Sequence, residues 1–267
     1  MKSATRVCTL ATIVFLLSKM LFASWKTPWG DLAGAAFVVL GLALLLWRMP
    51  PETDTEPAFF KKSDTRSLLL FCPFFVIVWA LGFATEQIGS LFNLSNEIDV
   101  SEPVCVLLLC QVLLAALCEE LTFRYFFLRY LAHEHAGAAV LLSAIVFALM
   151  HVQILQIPYA FIAGLMLGAL TVCTGSVFPA FLFHFGNNAV HLLSALYGDC
   201  ILLFTIILCL LGTAVALLWK NYRKAATCAY QSHFSRTNNG RAAFREAILS
   251  PLGAAVVLML LLCVVCI

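Results

Sequence analysis

Apolar runs long enough to cross a bilayer recur along almost the whole chain, and they leave room for little besides a membrane-embedded helical bundle. They lie near residues 7 to 24, 32 to 47, 67 to 84, 103 to 131, 137 to 152, 156 to 173, 177 to 197, 200 to 219 and 250 to 267. The runs 32 to 47 and 137 to 152 are short. Composition agrees: 63% of the 267 residues are hydrophobic, only 11% are charged, and mean hydropathy is +0.98. A soluble domain carries about 25% charged residues, and no part of this chain is polar enough to fold alone in water. The expected fold is therefore all-α: a polytopic membrane protein of about eight or nine transmembrane helices around an intramembrane polar cavity, with residues 1–267 as a single membrane domain.

Basic residues supply a topology. With the N-terminus inside, the alternate connections hold Lys2 and Arg6, then Arg48, Lys61, Lys62 and Arg66, then Arg124 and Arg129, then Lys220, Arg223, Lys224, Arg236, Arg241 and Arg245. Only Lys26 falls in an outside loop, and the connection Glu86 to Glu102 is acidic without Lys or Arg. By the positive-inside tendency this predicts a cytoplasmic N-terminus in an integral multi-pass protein of the cell membrane. Lys19 interrupts the first apolar run and further helices follow, which favours a retained first helix over a cleaved signal peptide. The polar stretches Pro50 to Arg66 and Asn221 to Glu246 read as cytoplasmic loops. A net charge of +2 gives no reason to expect nucleic acid as a partner.

The eleven cysteines are scattered mainly through apolar runs, where a thiol packs as a small hydrophobe, and suggest no disulfide framework. Cys263 and Cys266 form a C-x-x-C without a His or a second pair nearby, a poor metal or redox site.

Three polar clusters break the apolar pattern. Glu119 and Glu120 stand side by side within Leu107 to Phe127, followed by Arg124; His151 ends the run from Phe147; His184 and Asn188 lie within the seventh segment. A charge at a helix centre costs roughly 2.5 to 3.5 kcal/mol on insertion scales, so such groups persist where a cavity, a partner or a function offsets the cost. If the fourth run turns near Gly137 into the fifth, Glu119 and His151 both sit roughly 21 Å from the turn at 1.5 Å per residue, hence at one depth. Glu120 and Arg124 are spaced i, i+4, which suits an ion pair and leaves Glu119, about 100° around the helix, free. His184 and Asn188 share the same spacing and can point at one reacting atom, with His191 a turn further on.

Chemically, a carboxylate and an imidazole in a wet cavity can activate water, and two donors can hold a developing oxyanion at roughly 3 kcal/mol each. These parts would make an amide hydrolase. Charged groups in membranes also line ion and proton pathways, so a transporter is a competing reading. Zinc held by Glu119, His151 and His184 is the mechanistic rival, although the chain has no H-E-x-x-H and Arg124 would set a cation near the metal; hydrolysis without a metal or other cofactor is the favoured expectation. Gly164 and Gly168 suit close helix packing, and His133 and His135 read as solvated loop residues.

The clusters resemble the CAAX-processing type II prenyl endopeptidases and bacteriocin-processing enzymes, the CPBP or Abi family of intramembrane glutamic proteases. The two-glutamate, three-residue, arginine pattern is met by Glu119-Glu120-Leu121-Thr122-Phe123-Arg124, aromatic-x-x-x-His by Phe147 to His151, and His-x-x-x-Asn by His184 to Asn188. The likeness covers a catalytic core of about residues 103–197. It implies that Glu119 and His151 activate water, that Glu120 and Arg124 support them, and that His184 and Asn188 form the oxyanion hole. It implies the bilayer as partner and prenylated C-terminal peptides or leader peptides as substrates. A non-catalytic bacteriocin self-immunity or scaffold protein that merely binds such a peptide is the alternative from another class.

Overall fold

The computed structural model describes residues 2–22, 25, 27–51, 57–60, 77–82, 84–85, 87–89, 91, 102–151 and 155–197. Most of the expected helix 67 to 84, the expected helices 200 to 219 and 250 to 267, the loop Asn221 to Glu246, and Cys263 and Cys266 lie outside the described residues. So do most of the loop 50–66 and of the connection 86–102, with their charges, and the His133 side chain.

Six helices carry the described fold: α1 Lys2–Phe22, α2 Pro28–Arg48, α3 Val104–Ala132, α4 His135–Leu149, α5 Gln156–Thr174 and α6 Phe178–Tyr197. Residues 77–82 are also helical. The chain is mostly helical, with no strand among the described residues. Among the described residues four helices are long and apolar enough to cross a membrane: Ala4–Phe22 within α1, then α2, α3 and α5, while α4 is shorter. The protein is therefore an integral membrane protein. Trp29 and Trp47, 75% and 73% exposed, stand at the two ends of α2. Their separation of about 27 Å along the helix matches a hydrocarbon layer of about 30 Å with aromatic anchors at each interface.

α2 begins four residues before the run read from hydropathy. Thr27 caps it, its hydroxyl accepting from Gly30 N at 3.3 Å, with Pro28 at the first position and Asp31 in the first turn. Hydropathy misses that turn because its Pro, Gly and Asp are not apolar.

Side-chain contacts with backbone carbonyls fix how the helices run. Cys110 Sγ approaches Pro28 O, Cys118 Sγ approaches Ala35 O, and Tyr130 OH donates to Met49 O, so α2 and α3 run side by side in the same direction. α4 and α5 are antiparallel and close: a Cβ on Gly164 would meet Ala144 Cα at 2.9 Å, and one on Gly168 would meet Val140 Cγ1 at 3.1 Å. These two glycines serve packing, as small residues in membrane helices do. The chain turns from α3 into α4 at His135, whose φ and ψ of −151° and 84° are not helical. His135 is half-buried there, deeper than a solvated loop residue.

The core is aromatic where α1, α3 and α4 meet. Phe123, fully buried, contacts Phe15 at 5.6 Å between ring centroids and Phe147 at 5.5 Å, both edge-on. Ser143 Oγ donates to Phe123 O at 2.7 Å and ties α4 to α3. Where α5 ends, Gly175 adopts a left-handed φ of 64°, and Ala58 bridges the turn by accepting from Val177 N at 3.0 Å.

Candidate active site

α3 changes pitch around the glutamates. Ala115–Glu120 is α-helical, but Leu108–Leu114 before it and Leu121–Phe126 after it are π-helical. A π-turn re-aims the side chains that follow it, and such turns concentrate at functional sites. Here the adjustment leaves Glu119 and Glu120 both facing inward; Glu120 is fully buried and Glu119 nearly so.

Glu120 sits between Arg124 and His184. Its Oε2 lies 3.3 Å from Arg124 Nε, and its Oε1 lies 2.8 Å from His184 Nδ1. Arg124 is also fully buried, an arrangement that only close pairing sustains. Its guanidinium lies 4.4 Å over the Phe147 ring, and its Nη2 donates to Gly164 O at 3.4 Å. Among the described residues Arg124 Nη1 has no hydrogen-bond partner.

Glu119 is not free, as the helix spacing alone suggested. Its Oε2 stands 3.6 Å from His184 Nε2, just beyond hydrogen-bond reach. His184 thus carries a carboxylate at each ring nitrogen. Spacing within α3 does not say which helix packs against it, and it is α6 that brings His184 to Glu119.

With Nδ1–H donated to Glu120, a neutral His184 presents only a lone pair to Glu119 at Nε2. Two acceptors would then face each other, so the pair is attractive only with a proton on His184 Nε2 or on Glu119. In the state with ionised carboxylates, Arg124 and a doubly protonated His184, the four groups are neutral overall.

His151 lies just past the end of α4, where its Nδ1–H donates to Phe147 O at 2.9 Å and leaves Nε2 to accept. Its ring stacks edge-on against Phe147 at 4.9 Å, and His184 does the same at 5.6 Å. Phe147 is therefore the shared wall of the cluster, in contact with Arg124, His151 and His184 at once. The motif named this aromatic without suggesting why it is needed.

Glu119, His151, His184 and Asn188 line one pocket of about 70 Å³, with Val78 and apolar side chains of α5 and α6 around them. Glu120 and Arg124 stand behind it. His191, one turn beyond Asn188, sits away from the pocket against Tyr159, 6.1 Å between ring centroids, and 3.0 Å from where a Cβ of Gly82 would be. Asn187 is a member that sequence reasoning missed. It is buried, lines the pocket, and its Nδ2 donates to Asn188 Oδ1 at 3.5 Å. The available signal was two adjacent amides in an apolar helix, of which only the one at i+4 from His184 drew notice. Among the described residues no three His, Cys, Asp or Glu side chains are grouped as metal ligands.

By fold and site this is a helical membrane protein in which carboxylates, imidazoles and amides line one pocket within the bundle. Residues 101–190 match the model described as Type II CAAX prenyl endopeptidase Rce1-like. That stretch contains all six motif residues from Glu119 to Asn188, and the match supports the CAAX/CPBP resemblance over about a third of the chain. Neither a curated protein nor a solved structure matches the chain.

Proposed function

We propose that the chain is an intramembrane endopeptidase of CAAX prenyl protease type, hydrolysing peptide bonds of membrane-associated substrates with water activated by Glu119 and His151. The observation that carries this reading is the convergence of Glu119, His151, His184 and Asn188, from separate stretches of sequence, on one pocket. The Rce1-like match points the same way.

In this mechanism the scissile carbonyl sits between the α3 carboxylate and the α6 donors. Glu119, with the His151 Nε2 lone pair beside it, takes a proton from water as its oxygen attacks the carbonyl carbon. The oxyanion accepts from His184 Nε2–H and from the Asn188 amide, a contribution of roughly 3 kcal/mol per donor. Donation from Nε2, with Nδ1–H held by Glu120, requires His184 protonated at both ring nitrogens. The tetrahedral intermediate collapses as the leaving amine collects the proton held by Glu119. Glu120 and Arg124 touch no substrate and act by orienting and charging His184.

The same proposal takes prenylated C-terminal peptides or leader peptides as substrates, no metal or other cofactor, and a bundle of eight or nine spans in the cell membrane with a cytoplasmic N-terminus. The test uses purified wild type and Glu119→Gln in detergent, with and without a chelator, on a prenylated CAAX peptide and a panel of leader peptides. Cleavage that survives chelation and falls by roughly 10²-fold or more in folded Glu119→Gln is expected. Chelator-sensitive cleavage would install a metal mechanism, and a folded wild type that cuts nothing would favour the immunity or scaffold alternative.

A further inference from the structure

Glu119 faces two openings. Besides the pocket shared with His151 and His184, it lines a separate cleft of about 140 Å³ between α1, α2 and α3, together with Lys19, Asp31, Ser18 and Cys118. The two openings share Glu119 and no other residue.

The level of the cleft follows from backbone contacts. Ser18 Oγ donates to Gly34 O at 3.0 Å, and Cys118 Sγ approaches Ala35 O. Lys19 and Glu119, the next residues on their respective helices, therefore flank α2 at nearly the same height. From Cys110, beside Pro28, the cleft runs along α3 to Cys118, roughly 12 Å at the helical rise. Lys19 and Asp31 are exposed and Glu119 is nearly buried, so the cleft is charged at its open side and ends on the carboxylate.

Helix-end electrostatics favours Asp31 in the first turn of α2 and Lys19 in the last turn of α1. It does not require both to face the space that ends on Glu119. A lysine and an aspartate in an apolar bundle hold water around them. The other pocket has mostly apolar walls, and on the peptidase reading a peptide bound there would displace its water.

We propose that the α1–α2–α3 cleft is the water route to Glu119, kept hydrated by Lys19 and Asp31, so that hydrolytic water arrives from the side opposite the peptide. This rests on the peptidase reading above. Lys19 and Asp31 are positioning residues here, acting through the water they retain and not through substrate.

The test has two independent readouts. The first is labelling: in full-length Ala115→Cys, whose new thiol lines the cleft, a charged water-soluble methanethiosulfonate should modify residue 115, mapped by mass spectrometry. Modification should be lost when Lys19→Leu and Asp31→Leu are added to dry the cleft. An unlabelled thiol in the singly substituted protein overturns the proposal whether or not any peptide is cleaved. The second readout is turnover of a peptide that wild type cuts. Lys19→Leu/Asp31→Leu and Ala115→Leu should each lower kcat roughly tenfold or more with KM little changed, while the polar, uncharged Lys19→Gln/Asp31→Asn retains turnover. Equal loss in the polar pair with a raised KM would mean that the charges hold substrate, and unchanged kcat in all three would mean that water comes another way. Either result overturns the proposal, and thermal unfolding of each variant separates it from loss of the fold. A wild type without peptidase activity would defeat the peptidase reading while the labelling result still stood.

Discussion

His184 Nδ1 lies 2.8 Å from Glu120 Oε1, and this bond decides what the other ring nitrogen of His184 can do. Because Nδ1–H points at a carboxylate, Nε2 is the nitrogen that reaches the pocket. In the proposed mechanism the second glutamate therefore acts through the histidine.

Glu120→Gln should separate orientation from charge. The amide oxygen can still accept from Nδ1–H, so the ring stays aimed, but the negative charge is gone and Arg124 becomes an unmatched buried cation. We expect kcat to fall more than KM rises, and the protein to lose about 3 kcal/mol or more of stability, the cost of breaking a buried pair. Turnover and thermal unfolding of the detergent-solubilised protein check this; an unchanged melting temperature would mean that the Arg124 pair contributes little.

Arg124→Lys tests whether the site needs a guanidinium or only a positive charge. A lysine keeps the charge but cannot at once face Glu120, lie over the Phe147 ring and reach Gly164 O as the flat fork does. The expected result is a fold less stable by about 1 to 2 kcal/mol with turnover sharply reduced, since Phe147 also walls both histidines. Wild-type turnover in Arg124→Lys would reduce the residue to a counter-charge.

Asn187→Ala and Asn188→Ala should differ in kind. Asn188 is the proposed oxyanion donor, and its loss should cost about 10² to 10³ in kcat. Asn187 holds the Asn188 oxygen at 3.5 Å and so turns the Asn188 NH₂ group toward the pocket. Its removal should cost roughly tenfold in kcat, with KM unchanged, through a less well-fixed donor. Equal losses in the two variants would place Asn187 itself on the substrate.

The polar residues of the site were legible because hydrocarbon makes each of them expensive, so Glu119, Glu120, Arg124, His151, His184 and Asn188 stand out against an apolar background. Depth was legible too, since helix rise alone brought Glu119 and His151 level, and both line the same pocket. Pairing was not. Periodicity within α3 joined Glu120 to Arg124 but is silent on which side of α6 meets α3, and it presumes α pitch where the helix is π on both sides of the glutamates. The cleft beside Lys19 was hidden for a similar reason: Lys19 reads as an interruption of α1 until α2 and α3 are packed against it.

The spacing of Gly164 and Gly168 suggested close packing for both, yet the structure makes them unequal. A methyl on Gly164 would stand 2.9 Å from Ala144 Cα, a backbone atom of α4, and the helices must part to admit it. On Gly168 the nearest atom is Val140 Cγ1 at 3.1 Å, the end of a side chain that can give by a few tenths of an ångström. Gly164→Ala should therefore cost about 1 to 3 kcal/mol, the usual range for overpacking, and Gly168→Ala clearly less. The first should also reach the site, because Gly164 O accepts from Arg124 Nη2 and Phe147 Cδ1 would lie 3.2 Å from the new methyl. Parting α4 from α5 would move the ring that carries both histidines, so turnover should fall in Gly164→Ala and hold in Gly168→Ala. Melting temperatures and kcat for the two variants decide this, and equal effects would show that α4 and α5 are packed evenly along their length.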